Sequence, residues 1–117
     1  SKSAEDIVFR ANKKQRKLIA IRLGLRALNE LKVKVTITRQ RDNIFQLDGH
    51  ISAEIYKSTL GNDNIEEVLV NDDFQEYFFE ALKQRGIENY EKANEALQIN
   101  LFYQEFLVVY FFSYLEK

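Results

Sequence analysis

The chain has 117 residues, 45% of them hydrophobic and 13% aromatic, which predicts a single domain over residues 1–117 with one core and excludes wholesale disorder. Cysteine is absent, so disulfides, thiolate nucleophiles and zinc–thiolate sites are excluded. The net charge of −1 conceals an uneven distribution: Ser1–Arg41 holds twelve Lys/Arg and three Asp/Glu, Asp42–Lys117 five and fifteen, a pattern that points to an anionic partner or to contact between the two halves.

Ser3 to about Leu31 predicts one long helix. Ser3 is its cap, with Glu5 and Asp6 in the first turn. Ile7, Ala11, Leu18, Ile21, Leu25 and Leu28 follow a 4-3-4-3 spacing that only Lys14 interrupts, the pattern of an amphipathic helix or a short coiled-coil seam. Gly24 is unfavourable inside a helix by about 1 kcal/mol relative to Ala, and close packing against a neighbour is its simplest reason. Ser1–Gln15 has no apolar run of the kind that opens a secretory signal, so a cytoplasmic location without a membrane partner is expected.

The period then becomes two. Val33, Val35 and Ile37 alternate with polar residues, and so do Phe45, Leu47, Gly49, Ile51, Ala53 and Ile55 after the polar turn Gln40–Asn43. This predicts an antiparallel hairpin with one buried face. Gly49 falls on the inward register, where a bulge or a close backbone approach is expected. Ser52–Leu60 reads equally as more strand, a third strand or a short helix.

Gly61-Asn62-Asp63-Asn64 is the strongest break. Asn64 with Glu67 predicts a helix cap and its partner, and Asn71-Asp72-Asp73 a second cap, giving one helix or two short ones. Gly86, after Lys83 and Arg85, predicts a helix stop. From about Glu88 to Glu116, Tyr90, Ala93, Leu97 and Leu101 form a helical stripe. Leu101–Leu115 is then apolar in nearly every helical direction, which suits a buried helix, with strand as the alternative. The expected fold is α+β and mostly helical: a long first helix, a β-hairpin, then two or three helices, in the order α-β-β-α-α.

Two surfaces carry functional expectations. Arg10, Lys13, Lys14 and Lys17 share one helical arc of about 100°, and Lys34, Arg39 and Arg41 extend the positive region onto the hairpin. These seven residues are candidates for contacting an acidic protein or nucleic acid. No nucleic-acid-binding spacing sharpens that reading, and the aromatic residues lie in the acidic half, away from this patch. The second surface is Phe102, Phe106, Tyr110, Phe111 and Tyr114, aromatics that either fill the core or face a partner.

Other chemistry is weakly supported. Asp72, Glu76 and Glu80 line one helical face, but a straight ladder spreads its oxygens too widely for a hard cation. His50, the single histidine, falls on the outward side of the second strand without a nucleophile elbow. No two glycines are close enough for a phosphate loop. The expectation is therefore a non-catalytic protein–protein interaction module, a regulator, inhibitor or assembly factor, without metal or cofactor. Its partner is another protein or a second copy of itself; nucleic acid held by the basic helix and hairpin is the alternative.

Overall fold

In a computed structural model, the described residues are 13–37, 47–87 and 92–116. They form five helices and one hairpin: α1 (Lys13–Asn29), β1 (Lys32–Ile37), β2 (Leu47–Ser52), α2 (Ala53–Leu60), α3 (Asn62–Val70), α4 (Asp72–Gln84) and α5 (Ala93–Leu115). The mostly helical α+β class and the helix–hairpin–helices order agree with the sequence. The expected Ser3 cap and the turn after β1 lie outside the described residues.

The strands pair antiparallel, Val33 opposite Ile51 and Val35 opposite Gly49, with Lys34 opposite His50 on the outer side. The register runs unbroken from Lys32–Ser52 to Ile37–Leu47. A Cβ added at Gly49 would meet nothing. The bulge or close approach expected there is therefore absent. The second strand also ends earlier than its alternation implies. Ser52 is the last residue of the sheet and its hydroxyl accepts from the Ile55 amide at 3.3 Å, so a helix N-cap wins over continued strand and Ile55 is left exposed.

The next breaks follow local chemistry. Gly61 takes φ 81° between α2 and α3. Asn64 does not cap: it lies within α3, which starts at Asn62, and its amide donates back to the Leu60 carbonyl at 2.7 Å. Asn71 does cap α4, accepting from the Phe74 amide at 2.8 Å. Gly86, at φ 72°, ends the last turn after α4. Its amide reaches the Lys83 carbonyl and that of Ile87 the Leu82 carbonyl, a Schellman closure with Ile87 and Leu82 both buried.

The core is one cluster drawn from all these helices and from β2. Its largest fully buried members are Tyr56, Tyr103, Phe78 and Phe79. Helix α1 enters it with small residues. Ala20, Ala27 and Leu28 are buried, and a Cβ on Gly24 would come within 2.6 Å of both Leu69 Cδ2 and the Tyr103 hydroxyl. Gly24 thus marks close packing of α1 against α3 and α5. Burying this small-residue side turns the 4-3-4-3 stripe outward: Leu18 is 60% and Leu25 45% exposed, and only Leu28 of the described part is buried.

Helix α5 is a single 23-residue helix rather than a strand. Its buried side includes Gln104, whose Oε1 accepts from the Lys32 amide at 3.2 Å and whose Nε2 donates to Asn100 Oδ1 at 2.7 Å. A polar break in the aromatic tract is thus the tie that holds the start of the hairpin to α5. Gln75 plays the same part between α3 and α4, donating to the Leu69 carbonyl at 2.7 Å.

Candidate protein-docking groove

Helices α4 and α5 pack through rings. Phe78 lies 4.4 Å from Tyr103, 5.8 Å from Phe102 and 5.6 Å from Phe106, centroid to centroid. Phe106 continues outward, meeting Phe74 at 6.0 Å and Tyr77 at 5.5 Å, both edge-on. Such edge-to-face pairs contribute about 0.5–1.5 kcal/mol each beyond the area they bury. The rings therefore hold a rigid surface and do not collapse into the core.

That surface is a groove of about 350 Å³ lined by Phe74, Tyr77, Phe106, Val109, Tyr110 and Ser113. Tyr77 is 67% and Val109 63% exposed, the largest values among the exposed large apolar side chains of the described residues. An adjoining hollow of about 280 Å³ shares Phe74 and Tyr110 and adds Glu67, Val68 and Asn71. Burial together with the neighbouring Glu67 carboxylate raises the Tyr110 pKa, so its phenol is neutral at physiological pH and available as a hydrogen-bond donor.

Acids frame the groove. Asp73 and Glu80 stand one helical turn to either side of Tyr77, and Glu105 one turn before Val109; all three are exposed. Among the described residues, no Lys or Arg lines either hollow. Arg85 is held aside, its guanidinium carbon 3.8 Å from the Phe102 ring centroid.

Of the aromatic candidates, Phe106 and Tyr110 are half-buried and line the groove. Tyr114 is half-buried near the end of α5, and Phe102 and Phe111 are packed inside the chain. Phe74, Tyr77 and Val109 complete the groove. The i, i+3 spacing of Phe74 and Tyr77 puts them on one helical face, but only tertiary packing joins that face to α5.

The basic candidates divide differently. Arg10, Arg39 and Arg41 lie outside the described residues, as does the side chain of Lys13. Lys14 on α1 and Lys34 on β1 are exposed. Lys17 turns to α4 and pairs with Asp72 at 3.3 Å. Beside it, Arg16 pairs with Glu76 at 2.9 Å and lies over Phe79 at 5.2 Å. The first two rungs of the acidic ladder therefore meet the basic helix of the same chain. Among the described residues, no group of three or more His, Asp and Glu is placed to hold a metal ion, and no helix is long and apolar enough to cross a membrane.

Compared with protein-family models, curated proteins and solved structures, the chain gives no match.

Proposed function

We propose that the chain is a non-catalytic protein–protein interaction module that acts by seating a partner on the α4–α5 groove. One observation carries the reading: Tyr77 and Val109, the two most exposed large apolar side chains among the described residues, stand together on one groove backed by core aromatics. Interface centres are enriched in aromatic residues, and pre-formed, rigid ones need little ordering on binding. The acids around the groove supply orientation and rate more than affinity.

The test is affinity capture from the source organism's lysate, run with and without nuclease treatment, comparing the wild-type chain with Val109→Lys. One stoichiometric protein is expected with the wild type and not with the variant. Nucleic acid as the sole captured species would overturn the reading in favour of the basic helix, and binding to duplex DNA or RNA would then fall steeply with salt.

A further inference from the structure

We infer that the occupant of the α4–α5 groove is helix α1 of a second copy of this chain, docked through its outward side. This rests on the interaction reading above and names its partner. The outward side of α1 presents Leu18 and Leu25 at 60% and 45% exposure. Ile21 is half-buried between them, and Lys14 and Arg22 are exposed alongside. These apolar residues belong to the 4-3-4-3 stripe, the spacing with which a helix fills a hydrophobic groove. Within its own chain α1 is packed through Ala20, Gly24, Ala27 and Leu28, so Leu18 and Leu25 are left without a cover among the described residues.

Charge selects between the available pairings. Two α1 stripes laid together bring Lys14 and Arg22 of both copies into one seam, and two grooves laid together oppose Glu67, Asp73, Glu80 and Glu105 of both. Like charges brought together at a contact are rejected. Among the described residues the four acids make no ion pair and no cation lines the groove. Stripe on groove is the one combination that matches apolar to apolar and basic to acidic. About a two-fold axis it forms twice, closing a dimer.

Sedimentation velocity on the full chain, over a concentration series at low and high salt, tests this. The expected result is a reversible dimer that weakens as salt rises. Leu18→Glu and Val109→Lys are each expected to be monomeric with unchanged helicity, since both side chains are exposed. An equimolar mixture of the two variants is expected to regain the dimer. It contains one intact stripe facing one intact groove, and the second contact joins the two introduced charges, which are opposite. Should either variant lose helicity, Leu25→Glu and Tyr77→Lys replace them. A wild-type chain that is monomeric throughout, a dimer unmoved by the variants or by salt, or a mixture that stays monomeric would each overturn the proposal. A monomeric chain that still captures a protein through the groove removes only the second copy as occupant. One that is monomeric and captures nothing removes the interaction reading as well.

Discussion

Gly24 shows how one missing methyl group positions a helix. Alanine there would gain about 1 kcal/mol in helix propensity but would put a Cβ 2.6 Å from Leu69 Cδ2 and the Tyr103 hydroxyl and 2.8 Å from Tyr103 Cζ. The Leu69 methyl can swing aside. The Tyr103 ring cannot, being fully buried and wedged against Phe78 at 4.4 Å. Overpacking of this kind costs about 1–3 kcal/mol. Gly24→Ala is therefore expected to lower stability by a net of up to ~2 kcal/mol, read as a lower denaturant midpoint at unchanged slope.

At the scale of elements, the hairpin is the least tightly determined piece and the one with room for improvement. Gly49 faces the same side as Val35 and Ile51, at a position where an added Cβ touches nothing and φ is not positive. A β-branched residue fits there without a clash, suits the extended backbone and would reduce the freedom of the unfolded chain. Gly49→Val is expected to raise stability by about 0.5–1 kcal/mol, visible as a higher thermal midpoint. Much of this architecture was legible beforehand, because local chemistry drives it: period-two alternation for the strands, Asn71 as a cap, Gly86 as a stop. The rotation of α1 was not legible. Hydropathy gives weight to Leu18 and Leu25 over Ala20, Gly24 and Ala27, whereas the close fit of Tyr103 against Gly24 favours burying the small side. The groove was half legible. Phe106 and Tyr110 stood out within an aromatic tract, but Tyr77 and Phe74 join them only through the packing of helices distant in sequence.

Across the whole molecule, two phenols sit at the centre of the packing. Tyr56 and Tyr103 are fully buried, and neither hydroxyl finds a hydrogen-bond partner among the described residues. Burial pushes both pKa values well above the ordinary 10.0, with the Tyr110 and Tyr103 charges adding to the effect at Tyr56. Both groups hold their proton longer in the folded chain than in the unfolded one. Their contribution to stability is fully present below about pH 10 and is lost as pH rises beyond it. Helicity is thus expected to collapse in alkali in the same step that the last tyrosinate absorbance appears; ionisation of all phenols with the helices intact would contradict this. The same central packing reaches the surface at Phe106, which touches Phe78 and Phe102 on one side and Tyr77 and Phe74 on the other. On the proposed docking reading, this ring serves both the integrity of the fold and the shape offered to a partner. On the same reading, variation that retunes recognition without harming the fold is confined to the walls, at Tyr77, Val109 and Ser113, and homologous chains are expected to diverge there while keeping an aromatic floor.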